Sequence, residues 1–279
     1  MFLSRDCRLH YEEIGSGIPL LCLPPFPFDS GIWRNQHSLQ DVARLILPDL
    51  RGTGKSEQGN LPVTMELLAE DMLALLDALH LASAVVMGVS MGAYVAFAMY
   101  AKDAYRFRGL VLADTRAEAD SPETAERRRR TVEGLRTQGA GILRERVYDL
   151  FAAASLREQP ELVESMQQNT VLENPEGLAQ LTLAMAARLD RVALLPRITV
   201  PTLVLCGEDD KPSPPDGMRA MAAQIPDAEF HLIPRAGHLS PLEQPEIFNR
   251  YVREYLKSVS CDTSIFRVTD DKESPSSEA

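Results

Sequence analysis

Short apolar runs alternate along the chain with stretches in which apolar residues recur every three or four positions. The runs Leu20 to Leu23, Arg44 to Leu47, Ala84 to Val89, Gly109 to Ala113, Thr202 to Cys206 and Glu229 to Ile233 have the length and composition of buried strands. Between the second and third, Leu68, Met72, Leu75, Leu76 and Leu79 fall on one side of a helix, and Glu66, Glu70, Asp71 and Asp77 take other positions. This alternation predicts the α/β class, a mostly parallel central sheet flanked by helices. Arg8 to Ile14, with Gly15 and Gly17 after it, predicts an edge hairpin.

One segment imitates a membrane span, because Ala78 to Ala101 holds no Asp, Glu, Lys or Arg. Gly88, Ser90 and Gly92 interrupt it, Val85 and Val86 precede them, and an Ala-rich stretch follows. That is the pattern of a buried strand turning sharply into a buried helix, and no membrane partner is expected from it.

The alternation stops at Asp114 and resumes near Val200, an interval far longer than a connecting loop. Its pattern is helical. Ser121-Pro122-Glu123 and Asn174-Pro175-Glu176 each set a capping side chain, a first-turn proline and an acid where a helix begins, and two further helices fit Ile142 to Ala154 and Glu161 to Asn169. The chain is expected to divide into a core (1–114 and 200–257), an inserted helical cap or lid (115–199) and a disordered tail (258–279) rich in Ser, Asp and Glu. The run Arg127 to Arg130 is flanked by Glu123, Glu126 and Glu133 and is read as a solvated helix face.

Apolar residues make up 45% of the 279 and charged residues 25%, so the chain can bury a large core. A net charge of −11 argues against a continuous nucleic-acid-binding face. Cys7, Cys22, Cys206 and Cys261 show neither C-x-x-C pairing nor a histidine at zinc-ligand spacing, so no metal site or redox dithiol is indicated. Arg5 and Asp6 follow a very short apolar start, which lacks the apolar region of a signal peptide, and a cytoplasmic location is expected.

Gly88-Val89-Ser90-Met91-Gly92 stands where the buried strand meets the buried helix. So tight a turn strains its central residue, and a glycine two positions to either side relieves crowding and exposes the serine hydroxyl. A serine hydroxyl is a weak nucleophile that needs a base, itself oriented by a carboxylate. Asp210 follows the strand Thr202 to Cys206, and His238 follows the next one in Pro234-Arg235-Ala236-Gly237-His238, so all three lie beyond strand carboxyl ends. His10, His37, His80 and His231 lack that context and are read as surface or structural residues. Gly54-Lys55-Ser56 mimics the end of a phosphate-binding loop, but Asp49 stands where that motif needs glycine.

The chain resembles the α/β-hydrolase fold superfamily, of the lid-bearing esterase type, over roughly residues 8 to 256. The resemblance is carried by the elbow at Ser90, by Pro48-Asp49-Leu50-Arg51-Gly52-Thr53-Gly54-Lys55-Ser56, by Gly207 to Asp210 and by Gly237-His238. It implies that Ser90 is the nucleophile, that Asp210 orients the base and that His238 is general base and then general acid. Asp209 is an adjacent competitor for the acid, and Asp114, at the end of the preceding strand, a substitute position. The resemblance also implies that Asp49 and Arg51 brace the loop beside the site.

Acyl transfer needs two backbone N–H donors for the developing oxyanion. Met91 supplies one, and the loop Leu23-Pro24-Pro25-Phe26-Pro27-Phe28 the other; since proline has no N–H, Phe26 is the only donor from 24 to 27. Relatives commonly carry His-Gly where Pro24-Pro25 stands, so the prolines either reshape the pocket floor or stiffen it. Phe28, Trp33, Leu143, Val147 and Phe151 are expected to make the substrate pocket apolar and to favour uncharged acyl groups. The function expected is cofactor-free hydrolysis of a small-molecule carboxylic ester or lactone through an acyl-enzyme. The same three residues serve carbon–carbon bond hydrolysis and cofactor-free perhydrolysis or haloperoxidation, and a ligand-binding protein that keeps the fold without catalysis is the alternative of another class.

Overall fold

A computed structural model describes residues 1–261 of the chain. β1 (Phe2–Ser4) and β2 (Cys7–Leu9) pair as a small antiparallel ribbon. β3 (Tyr11–Ile14), β4 (Ile18–Leu23), β5 (Ala43–Pro48), β6 (Ala84–Val89), β7 (Phe107–Ala113), β8 (Thr202–Gly207) and β9 (Ala228–Ile233) form one sheet in the order β3-β5-β4-β6-β7-β8-β9. Only β3 runs antiparallel; the other pairings are parallel. Every residue of β6 and β8 is buried, which is why these runs read as unbroken apolar stretches rather than alternating ones.

The expected hairpin over Arg8 to Ile14 is corrected. The chain changes partner at His10, whose carbonyl accepts the Asp49 N–H at 3.0 Å, so Cys7–Leu9 belongs to the ribbon while Tyr11–Ile14 edges the large sheet against β5.

Helices cover both faces. α1 (Met65–Ala78) starts at Thr64, whose side chain accepts the Leu67 N–H at 3.0 Å, and it buries Leu68, Met72, Leu75 and Leu76 of the predicted stripe, while Leu79 is half-buried just past its end. α2 (Met91–Lys102) is buried from Met91 to Tyr100, as a helix wedged between sheet and neighbours must be. Five helices stand between β7 and β8: α3 (Pro122–Gln138), α4 (Arg144–Tyr148), α5 (Ala153–Glu158), α6 (Pro160–Leu172) and α7 (Pro175–Ala186). Ser121 and Asn174 cap α3 and α7, each followed by its first-turn proline. The helix expected over Ile142 to Ala154 is instead broken between α4 and α5. Leu150 turns its carbonyl to the His238 N–H at 2.8 Å and Ala152 donates its N–H to Glu243 at 2.8 Å, so both groups leave the helical ladder.

α8 (Pro215–Ala222) follows β8, and α9 (Ser240–Glu243) and α10 (Pro245–Cys261) follow β9. The Tyr255 hydroxyl of α10 fills the space of the side chain that Gly109 lacks, accepting the Leu110 N–H at 2.8 Å and donating to the Pro201 carbonyl at 2.7 Å. α10 therefore runs into the segment expected to be a disordered tail; the rest of that segment lies outside the described residues. Among the described residues no helix is long and apolar enough to cross a membrane.

Candidate active site

Ser90 joins β6 to α2 at φ 52°, ψ −114°, a conformation that costs a non-glycine residue of order 1–3 kcal/mol and is held by what surrounds it. A Cβ on Gly92 would stand 2.1 Å from the Leu23 carbonyl oxygen, and one on Gly88 2.5 Å from the Ala93 nitrogen. Only glycine lets α2 begin this close to β4 and β6. The Thr115 hydroxyl, from the turn after β7, donates to the Ser90 carbonyl at 3.0 Å and fixes the elbow from the other side.

His238 Nε2 lies 2.8 Å from Ser90 Oγ, and His238 Nδ1 lies 2.9 Å from both carboxylate oxygens of Asp210. The carboxylate fixes the neutral tautomer with the proton on Nδ1, leaving Nε2 to accept from the serine. Burial alone would pull the imidazole pKa down, but the adjacent charge and hydrogen bond of Asp210, with Asp114 behind it, raise it overall, against an opposing contribution from Arg116. Asp210 Oδ1 also accepts the Ser213 N–H at 2.8 Å, which locks the acid's own loop. Asp209 does not join this chain of bonds; its residue is exposed. His231 stacks on Tyr251 with ring centroids 4.2 Å apart, away from Ser90.

The N–H groups of Phe26 and Met91 donate to no other group among the described residues, so both are free to receive an oxyanion. Phe28 donates its N–H to the Pro25 carbonyl at 2.9 Å, closing the proline loop into a turn. Phe28, Trp33, Val147 and Phe151 pack in one buried apolar cluster with Val163 and Met166. Leu143 lies in a second cluster, with Val132, Leu135 and the edge of Phe26. The residues expected to line a substrate pocket thus divide between two buried clusters.

The loop after β5 is braced by its charged residues. Asp49 accepts the N–H groups of Ser30 (2.9 Å) and Lys55 (2.8 Å), and the fully buried Arg51 makes a bidentate pair with Asp71 and a third bond to Asp6. Of the four adjacent arginines, Arg129 and Arg130 pair with Glu126 on the exposed side of α3, but Arg128 turns inward to Asp120, which Arg188 also holds.

Sequence reasoning missed Glu243. Buried in α9, it accepts the N–H groups of Gly237 (2.9 Å) and Leu239 (3.3 Å) on either side of His238, and the Ala152 N–H and Ser155 hydroxyl of the inserted segment. The sole signal for it is its place five residues after the histidine.

The sequence model described as alpha/beta hydrolase fold matches residues 18–245. The chain belongs to the α/β hydrolase fold family. Within it, the chain is 43% identical to a thermophilic esterase of Thermogutta terrifontis solved with malate bound, at a TM-score of 0.89, covering 91% of this chain and 94% of that one. An enol-lactonase of Burkholderia xenovorans LB400 is 30% identical at a TM-score of 0.84 (90% and 97% covered). The 3-oxoadipate enol-lactonase 2 of Acinetobacter baylyi is 28% identical over 258 residues, 91% of this chain and 95% of that protein. Kinship with esterases and enol-lactonases supports a hydrolase; a non-heme bromoperoxidase of Mycobacterium tuberculosis and a 2-hydroxy-6-oxononadienedioate/2-hydroxy-6-oxononatrienedioate hydrolase of Dechloromonas aromatica match at the same 28% identity.

Proposed function

We propose that this α/β hydrolase cleaves a small carboxylic ester or lactone through an acyl-enzyme on Ser90. The observation that carries the reading is the 2.8 Å contact of Ser90 Oγ with a histidine whose far nitrogen is held by a buried carboxylate. In the first half-reaction His238 Nε2 takes the Ser90 proton as Oγ bonds to the carbonyl carbon. Charge gathers on the carbonyl oxygen, which the N–H groups of Phe26 and Met91 receive. The imidazolium, stabilised by Asp210, returns its proton to the departing alkoxide as the C–O bond breaks. Water then repeats the sequence, and the acid leaves while Ser90 regains its proton. For a lactone the departing alkoxide stays on the acyl chain, so one product leaves.

The inserted helices act as the cap. Val147 and Phe151 from the insertion and Phe28 and Trp33 from the core belong to one apolar cluster, which supports a preference for uncharged acyl groups. The names of the enol-lactonase relatives support inclusion of cyclic esters.

The test combines a panel of short-chain aryl esters and enol-lactones with fluorophosphonate labelling, on the wild type and on Ser90→Ala. The expectation is hydrolysis that falls at least ~10³-fold in the variant, with loss of labelling. Hydrolysis no faster in wild type than in Ser90→Ala would overturn the reading, and unlabelled, folded wild type would point to ligand binding without catalysis.

A further inference from the structure

The turn after β7 carries a second carboxylate that the mechanism above does not use. Asp114 is fully buried and sits at φ 48°, in the left-handed region that a non-glycine residue occupies only when its surroundings hold it there. Its Oδ1 accepts the Gly207 N–H at 2.8 Å; its Oδ2 accepts the Ser240 N–H at 3.1 Å and the Ser240 hydroxyl at 2.6 Å. Its own N–H donates to the Leu205 carbonyl at 3.0 Å. One side chain therefore joins three places: the strand end beside Ser90, the start of the loop that carries Asp210, and the helical turn two residues past His238.

Charge makes the placement more than a tie. A carboxylate oxygen of Asp114, one of Asp210 and the Cys206 Sγ all lie within 4.8 Å of one another. With the His238 ring included, the facing groups are two carboxylic acids, one imidazole, a thiol that burial keeps protonated, and the Arg116 guanidinium, whose charge also reaches the ring. Burial first, and the neighbouring Asp210 second, push the Asp114 carboxyl well above the usual carboxylate range. Two acids this close to one base exchange protons as a set, so the imidazole does not titrate alone.

We propose that Asp114 is a positioning residue of the Ser90–His238–Asp210 centre, clamping the acid-bearing and base-bearing loops to the strand end beside Ser90 and setting a second ionisable carboxyl group beside the acid that holds the imidazole. The inference rests on the proposed serine chemistry. When the Ser90 proton moves to Nε2, the imidazolium faces two carboxyl groups instead of one. Burial and Asp210 hold Asp114 toward its neutral form, while the imidazolium and the three accepted hydrogen bonds pull it toward the carboxylate, so the two titrations are linked: loss of the Asp114 proton strengthens the ring's hold on its own.

The test follows the His238 ring by NMR in full-length protein labelled with ¹⁵N at histidine, alongside kcat/KM against pH for a short aryl ester. In Asp114→Asn the His238 midpoint is expected to fall by ~1 unit. The acid limb of kcat/KM should shift down with it and sharpen from a broad, two-proton rise to a single-proton one. Ser240→Ala, which removes only the hydroxyl donor to Asp114, should move both readings the same way by less, and it covers the case in which Asp114→Asn does not fold. Coincident His238 titrations in folded variant and wild type overturn the proposal, leaving Asp114 a purely structural acid. The ring titration requires no substrate, so it stands apart from the ester assay: a shifted titration without hydrolysis removes the proposed function and keeps the coupling.

Discussion

The carbonyl oxygen of Gly52 lies 1.9 Å from the point where a Cβ on Gly177 would stand. Gly177 is in the first turn of α7, and Gly52 turns the loop after β5 at φ +79°, so two glycines bring the inserted helices and that loop into backbone contact. A methyl group there has no flexible neighbour to push aside. Gly177→Ala is expected to lose ~1–3 kcal/mol, the usual cost of overpacking, and to loosen the insertion over the core, raising KM more than it lowers kcat. Gly141→Ala, with nothing within 4 Å of its new methyl, is the control and should melt like wild type. Equal thermal midpoints for the two variants would contradict this account of the seam.

A few residues away, Glu173 accepts the Gly54 N–H at 3.0 Å from the end of α6. Burial, with Asp29 and Asp49 close by, pushes its carboxyl up to about 7, from the ordinary glutamate value of 4.5. Between those values the folded chain holds a proton that the unfolded chain has released, so this residue makes stability fall as pH rises through the interval and adds no further change above it. Glu173→Gln keeps the accepting oxygen and cannot ionise. Its thermal midpoint relative to wild type should therefore climb from pH 4.5 to 7 and then level off; a constant difference across that range would show that the carboxyl is not buried in solution.

The position of Ser90 was legible because its cause is local: Gly88 and Gly92 are required within four residues by the sterics of one turn, and the strand and helix around it are apolar on every side. His238 and Asp210 were legible by order and by their places after strands, and the sheet itself by its unbroken runs. What stayed hidden depends on partners far along the chain. Glu243 reaches Ala152 across 91 positions and Asp114 reaches Ser240 across 126, and no periodicity encodes either contact. The break at 149–152 follows from the same bonds, since helical spacing continues through it in the sequence while Leu150 and Ala152 satisfy their backbone groups elsewhere. The split of the N-terminal hairpin is of this kind too, fixed by the pairing of Tyr11 with Pro48.

Arg116 supplies a test of opposite sign to Asp114. It stands two residues further along the same turn, half-buried, and makes no hydrogen bond or ion pair among the described residues. Its positive charge opposes protonation of the His238 ring, where Asp210 and Asp114 favour it. Arg116→Met removes that opposition, so the imidazole should hold its proton to higher pH. The acid limb of kcat/KM should then move upward, by no more than ~0.5 unit because water reaches the guanidinium and weakens its field. Arg116→Lys keeps the charge and should leave the limb in place, which separates electrostatics from lost packing. The same pair of profiles at high ionic strength should draw together, since a partly exposed charge is screened by salt. A limb that moves down in Arg116→Met, or moves equally in Arg116→Lys, would mean that the arginine acts through the shape of the turn and not through its charge.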